Sequence, residues 1–278
     1  MRLRSLLYVP AHIEKFVAKA SERGADAVIL DLEDSVPTHL KTQARAALMD
    51  AVPIARGAGT KVFVRVNSGA TMVQDSQAAV SAGADGLVVP KVQSTTDLQM
   101  LSGLCSRLIA VIETATGLLN AREIAAQPDV IGVVLGAEDF ATDVGGQPDS
   151  DVVRVPKLMV HYAAKAAGKL SLGLLRSAVQ FSDVVGLTEA AQEAARHGFD
   201  GATCVHPTIV PVLNAAFSPT QEQVIHAQRV LQANSEAQRQ GKGAFMFEGE
   251  FIDAPIVARY QRVLQRAGVT FDGSDGSA

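Results

Sequence analysis

GADAVILDLED, residues Gly24 to Asp34, opens on a glycine, continues as an almost unbroken apolar run and ends in three acids, Asp31, Glu33 and Asp34. Apolar continuity of this kind fits a strand of a parallel sheet, buried on both faces by crossover helices. The glycine fits the residue that ends a preceding helix in a left-handed turn. Burying an unpaired carboxylate costs several kcal/mol, of the order of its desolvation penalty. Acids at the end of a buried strand therefore imply a partner of opposite charge.

Seven further runs share this pattern: LLYVP from Leu6, VFVRVN from Val62, GLVVPKV from Gly86, LIAVIET from Leu108, VIGVVLGAED from Val130, LSLGLL from Leu170 and GATCVHP from Gly201. Helical patterns lie between them, at Lys15–Arg23, Thr38–Arg56, Gln74–Ala82, Thr95–Ser106, Leu118–Gln127, Pro156–Ala167 and Thr188–His197. Glycine recurs just ahead of a strand, in RGAD, GAGT, AGAD and HGFD. Eight strand–helix units over about 200 residues predict a (β/α)8 TIM barrel. A doubly wound sheet is the alternative, but the chain carries no GxGxxG. The barrel is expected over residues 1–218. Residues 219–272 read as a helical C-terminal extension with a short hairpin, capping its own or a neighbouring barrel, and 273–278 as a disordered tail.

Composition narrows the function. The chain has 278 residues, 47% hydrophobic, with net charge −4. No basic patch favours nucleic acid, and no apolar run reaches the roughly 20 residues of a membrane span. The N-terminus shows no signal-peptide pattern. Cys105 and Cys204 stand apart in apolar contexts and read as buried reduced thiols. A soluble cytoplasmic protein is expected.

In a barrel of this type catalytic groups sit at the C-terminal ends of the strands. Those ends carry Asp31, Glu33 and Asp34, then Arg65 and Asn67, Lys91, Glu113 and Thr114, Glu138 and Asp139, and His206. So many acids on one rim would repel one another unless a cation or the arginine neutralised them. Glu113 and Asp139 are 26 residues apart, about one strand–helix unit. Two hard oxygen donors without a histidine pair favour Mg2+ over zinc. The alternative is that these acids cap the following helices or pair with their side chains.

The blocks RSLLYVPA, GADAVILDLEDSVP, VFVRVNS, GLVVPKV, VIETATGLLNAREIA, GAEDFATDVG, GFDGATCVHPTIVPVLNAAFSP and EGEFIDAPIV follow one another along nearly the whole chain. In this order they resemble the citrate lyase β-subunit-like branch of the HpcH/HpaI aldolase superfamily, which includes malyl-CoA and citramalyl-CoA lyases. The resemblance implies a TIM barrel with a C-terminal extension, assembled as a homotrimer or hexamer. It implies Glu113 and Asp139 as Mg2+ ligands, Arg65 facing the substrate, and Asp31 and Glu33 as acids beside Arg65 and the metal waters. It implies Asp253 as a catalytic aspartate brought by the C-terminal segment, and Arg4 on the substrate side of strand 1. Lys15, Lys41 and Arg45 either contact CoA phosphates or lie on solvated helix faces. The chain departs from the family at EGEFID, at LSLGLLRSAVQFSD and at VPAH, on the substrate- and CoA-contacting side of the rim.

The implied reaction is retro-Claisen cleavage of a 3-hydroxyacyl-CoA, citramalyl-CoA or malyl-CoA, to acetyl-CoA and a 2-keto acid. Mg2+ would be its one cofactor and the acyl-CoA its small-molecule partner, with no nucleic acid or membrane. A citryl-carrier-protein lyase subunit and an acyl-CoA thioesterase are the alternatives. Among the remaining residues, His206 is expected to hydrogen-bond at its strand end, Glu138 to orient the site, Lys91 to pair with rim acids or cap, and Phe245–Phe247 to pack.

Overall fold

The computed structural model describes residues 1–148, 151–176 and 183–271. The tail expected at 273–278 and part of the divergent stretch after Leu170 lie outside these residues. The chain forms two compact units, Met1–Phe217 and Ser218–Ala278.

The first unit is built on eight parallel strands: β1 (Ser5–Pro10), β2 (Ala27–Asp31), β3 (Lys61–Arg65), β4 (Gly86–Val89), β5 (Leu108–Ile112), β6 (Val130–Leu135), β7 (Leu170–Leu172) and β8 (Ala202–Cys204). Each pairs with its sequence neighbour, and β1 pairs with β8. A parallel bridge between Leu172 and Gly201 closes the ring. A side chain on Gly201 would meet the Leu3 carbonyl at 1.8 Å, so only glycine fits this seam.

Two apolar layers follow from the two-residue period of the strands. Leu6, Ala27, Ile29, Phe63, Val88, Ile109, Val111, Val134 and Leu172 fill the barrel interior. The alternate set, including Leu7, Val28, Leu30, Val64, Leu87, Ala110 and Val133, packs outward with the helices. Continuing the inward series two residues past Ile29, Phe63 and Val111 reaches Asp31, Arg65 and Glu113. The same alternation that fills the core thus places these three groups over it.

The helices are more broken than the sequence pattern suggests. The stretch expected as one helix over Thr38–Arg56 is a 3₁₀ turn followed by Lys41–Ala46 and Leu48–Arg56. The stretch expected at Thr95–Ser106 is helical only over Thr95–Gln99. Gly24 and Gly198 do end their turns with positive φ, at 71° and 95°.

The N-terminal end of the barrel carries a repeated clasp. Asp26, Asp85 and Asp200, each just ahead of its strand, accept the backbone N–H of Arg4, Val62 and Ser171 at 2.7, 3.0 and 2.8 Å. Each also pairs with a cation: Arg4, Lys61 and Lys165, respectively. Arg4 therefore belongs to the end of the barrel opposite the C-terminal rim. Its sequence placement beside the substrate is corrected: the turn before β2 supplies the half-buried acid that holds it.

The second unit pairs the helix Gln221–Arg239 with the helix Ala254–Ala267 through Val224, Ala227, Leu231 and Leu264. Thr220 and Gln223 form a reciprocal cap at the start of the first helix. Between the helices a hairpin joins β9 (Phe245–Phe247) to β10 (Glu250–Ile252). Its two-residue turn, Glu248–Gly249, has positive φ at both positions, as a tight hairpin turn requires. Phe245 and Phe247 are half-buried, whereas Met246 is exposed. Among the described residues no helix is long and apolar enough to cross a membrane.

Candidate active site at the C-terminal rim of the barrel

Asp31 and Arg65 are register partners at the ends of β2 and β3. Arg65 donates from Nε and Nη2 to the two carboxylate oxygens of Asp31 at 2.6 and 2.8 Å, a parallel two-bond fork. Its Nη1 also lies 2.8 Å from Glu33 Oε2 and 3.3 Å from Asp34 Oδ2. The guanidinium stacks over the Tyr8 ring at 4.8 Å. Burial raises the Asp31 carboxyl, but the hydrogen bonds and charge of Arg65 outweigh it and leave the group below its ordinary value. Burial works against the Arg65 cation too, yet Asp31, Tyr8 and Glu33 hold it firmly protonated.

Glu33 and Glu113 lack such full compensation. Burial pushes Glu33 up to about 7, with Arg65 opposing. Burial likewise pushes Glu113 up to about 7; the Lys91 N–H opposes this and the charge of Asp139 adds to it. Glu33 Oε2 is a buried acceptor without a hydrogen bond, because the approach of Arg65 is an ion pair outside hydrogen-bond geometry. Lys91, at φ 55°, is a non-glycine residue in left-handed conformation. That backbone aims its N–H at Glu113 Oε2, 2.9 Å away, while its ammonium lies 3.9 Å from Glu33. Strain of this type costs of order 1–3 kcal/mol, and here it orients a buried carboxylate.

Glu138 and Asp139 lie in the first turn of a helix, Ala137–Asp143, rather than on the end of β6 as the sequence suggested. Gly136 supplies the break: a Cβ there would meet the Glu113 Cγ and Oε1 at 2.5 Å. The Glu113 carboxylate thus packs against bare backbone just ahead of Asp139. Glu138 is exposed. Its charge acts on Lys157.

These groups fit magnesium. Two hard oxygen donors stand here, Glu113 just past β5 and Asp139 in the first turn after β6, and the charge of Asp139 adds to the burial that raises Glu113, with an unsatisfied acceptor on Glu33 beside Arg65. Among the described residues no three His, Cys, Asp or Glu side chains converge as a full metal cage. Mg2+ suits such a place, because it binds through one or two carboxylates and keeps water and substrate as its other ligands.

Other residues singled out in the sequence have different places. Lys41 donates to the carbonyls of Leu32 and Glu33, at 3.2 and 2.9 Å, and to Asn67 Oδ1. All three ammonium donors are thereby spent on the loops after β2 and β3. Arg45 pairs with the fully buried Asp75 at 2.5 Å, and Asp75 in turn accepts from the backbone and side chain of Asn67. The structure gives Lys41 and Arg45 the task of bracing the rim, not that of free phosphate contacts. Lys15 is exposed, beside the Phe16 ring. Thr114 caps the helix after β5, and His206 bonds Thr208 Oγ1 at 2.7 Å in a turn. Cys204 is buried, which pushes its thiol up to about 12, but Cys105 is only half-buried. Asp253, in the second unit, caps the helix Ala254–Ala267 by accepting the Ile256 N–H at 3.2 Å.

Three participants escaped the sequence reading. Tyr8 and Asp75 are ordinary residues of a strand and a helix. Lys157 is buried on the apolar stripe Val153, Lys157, Val160, Ala164, where a lysine at a core position was the available signal. Burial pushes Lys157 down to about 8, with Glu138 opposing.

Comparison with known proteins places the chain in a family. The family model for HpcH/HpaI aldolase/citrate lyase matches residues 4–207. A citrate lyase subunit beta-like protein of Mycobacterium tuberculosis is 36% identical over 271 residues, 94% of each chain. A (3S)-malyl-CoA thioesterase of Cereibacter sphaeroides is 34% identical over 270 residues, 95% of this chain and 94% of that one. The crystal structure of CitE from M. tuberculosis in complex with magnesium, acetoacetate and coenzyme A superposes with a TM-score of 0.79 at 34% identity, covering 95% of this chain and 97% of that one. With the family model spanning most of the chain and relatives matching it nearly end to end, the protein belongs to the HpcH/HpaI aldolase/citrate lyase family.

Proposed function

We propose that this protein is a Mg2+-dependent carbon–carbon lyase that cleaves a 3-hydroxyacyl-CoA, citramalyl-CoA or malyl-CoA, to acetyl-CoA and a 2-keto acid. The observation that carries this reading is the juxtaposition of Glu113 and Asp139 with the Arg65–Asp31–Glu33 cluster on one rim. Glu113 and Asp139 would hold the metal, which supplies Lewis-acid polarisation of a substrate oxygen when bound.

The chain's own groups then divide the work. Asp31 and Tyr8 fix the plane of Arg65, so its charge is preorganised for the negative charge that develops during cleavage. Glu33, with an open acceptor oxygen and a carboxyl near 7, takes the substrate hydroxyl proton. The electrons of the breaking carbon–carbon bond pass to the thioester, and the methylene carbon left behind is protonated by Asp253, brought by the C-terminal unit of its own or a neighbouring subunit in a trimer or hexamer. Of Lys15, Lys41 and Arg45, Lys15 stays exposed and would be the one to meet a CoA phosphate. The matching relatives bear on this directly, since one was solved with magnesium and coenzyme A.

A second reading is thioester hydrolysis, favoured by the (3S)-malyl-CoA thioesterase relative. Incubating purified protein and Mg2+ with citramalyl-CoA, malyl-CoA and citryl-CoA separates the two when keto acid, acetyl-CoA and free CoA are assayed individually. Equal keto acid and acetyl-CoA, abolished by EDTA, is the expected result. Free CoA without keto acid overturns the lyase reading in favour of hydrolysis. No product from any substrate points to a carrier-protein-dependent subunit.

A further inference from the structure

A recess of the barrel lies at its N-terminal end, away from the rim just described. It is a cavity of about 830 Å³, and Lys61, Arg107, Lys165 and Lys169 project from its wall with Asp200 as the one acid. These cations come from separate elements: the start of β3, the residue before β5, the end of the helix Asp151–Ala166 and the residue before β7. In a chain of net charge −4, this is a local reversal of sign. Arg107 and Glu113 bracket β5. At about 3.3 Å per residue, the strand separates the cavity from the rim by roughly 20 Å.

The charges are not all balanced internally. Lys61 pairs with Asp85 at 2.9 Å and Lys165 with Asp200 at 2.5 Å. Lys169 donates only to the Gln127 and Pro128 carbonyls, at 3.2 and 3.4 Å, which fixes the ammonium at the wall without neutralising it. Arg107 is exposed and has no carboxylate partner among the described residues. The clasps that hold the barrel floor thus need two of the four cations and leave two in excess around one concavity.

We propose that this cavity binds a compact polyanion of linked phosphates. Its volume lies in the roughly 300–1,000 Å³ range of small-molecule sites, not that of an extended macromolecular groove. Cations on several walls match charge spread over successive tetrahedral groups, and a guanidinium fork engages phosphate oxygens in pairs. A single carboxylate would meet one wall only. No aromatic side chain lines the cavity, so there is no surface on which a base would stack. The phosphate chain itself is the recognised element. This inference is independent of the lyase reading.

The test is calorimetric titration of the full-length protein with tripolyphosphate, without added Mg2+, in parallel with ATP. The expected result is one site per chain, no tighter for ATP, weakening with salt. Arg107→Ala/Lys169→Ala should weaken it at least about tenfold, while Lys15→Ala on the opposite rim leaves it unchanged. If the double variant fails to fold by circular dichroism, Arg107→Ala alone, at an exposed position, should still weaken binding by at least about threefold. No binding by the unaltered protein, equal binding by the Arg107 variants, or loss on Lys15→Ala would each overturn the proposal.

Discussion

Arg65 and Asp31 are cross-strand partners joined by two parallel hydrogen bonds of 2.6 and 2.8 Å, and the pair is the keystone of the rim. Asp31 is buried and Arg65 half-buried, so removing the arginine leaves the acid uncompensated, a loss of up to about 3–5 kcal/mol in comparable pairs. Arg65→Lys keeps the charge but cannot reproduce the fork. It is expected to lower the urea midpoint and turnover together, and Asp31→Asn to do the same. The lowered Asp31 carboxyl adds a pH signature. Its contribution is present above the unfolded carboxyl value and is lost as pH falls through the lower folded value. The wild-type advantage over Asp31→Asn should therefore shrink in acid; an unchanged gap would remove the ion pair from the stability account.

Glu33 and Glu113 have the opposite sign. With both carboxyls near 7, the metal-free fold holds protons that the unfolded chain has released. Metal-free stability is expected to fall as pH rises from the unfolded carboxyl range to about 7. Mg2+ must displace the proton on Glu113, so its affinity should be about tenfold weaker near pH 6 than near pH 8. Calorimetric Mg2+ titration at the two pH values checks this. Glu113→Gln should bind weakly at both, and pH-independent affinity in the unaltered protein would place the metal elsewhere.

Gly136→Ala isolates the placement of the Glu113 carboxylate. The added methyl would meet Cγ and Oε1 of Glu113 at 2.5 Å, and the atoms it displaces are the end of a flexible side chain. The fold should survive with a near-normal melting temperature. Mg2+ affinity should drop by about tenfold or more, the cost usual for disturbing the support of a metal ligand. A variant with intact affinity would show that Glu113 has another productive position.

The order of elements was legible because it rests on local chemistry. Eight apolar runs, spaced for crossovers, leave little besides a closed parallel barrel, and inward alternation carries Asp31, Arg65 and Glu113 to one end. What stayed hidden depends on contacts remote in sequence. Arg4 precedes β1 whereas Arg65 ends β3, and their acids, Asp26 before β2 and Asp31 at its end, hold them at opposite ends; the resemblance alone sets Arg4 beside the substrate. Lys41 looks like a free helix cation until the carbonyls of Leu32 and Glu33 are placed beside it. The helix holding Glu138 and Asp139 was missed because its seven residues are too few to show a periodicity.

Lys157 gives a stability test away from the reacting groups. Its ammonium is buried and pushed down to about 8. Between that value and the ordinary lysine range near 10.4 the unfolded chain holds the extra proton, so stability should rise with pH across this window. Cys204, raised to about 12, acts in the reverse direction over part of it. The readout is therefore the difference between the protein and Lys157→Met in urea midpoints at about pH 7.5 and about pH 9.5. Lys157→Met should be the more stable at the lower pH and lose that advantage at the higher. A constant difference would mean that the ammonium stays protonated throughout.

Asp253 has two tasks that a single substitution can separate. As a helix cap, its side chain accepts the Ile256 N–H, and asparagine caps as well as aspartate does. As the proposed proton donor it needs a carboxyl, which asparagine lacks. Asp253→Asn should therefore keep the melting temperature and Mg2+ affinity while turnover falls by about 100-fold or more, the usual scale of a general acid. Asp253→Ala should lose turnover similarly and also about 1 kcal/mol of stability from the missing cap. Near-normal turnover by the asparagine variant, with its fold intact, would confine Asp253 to capping and leave the proton to another group.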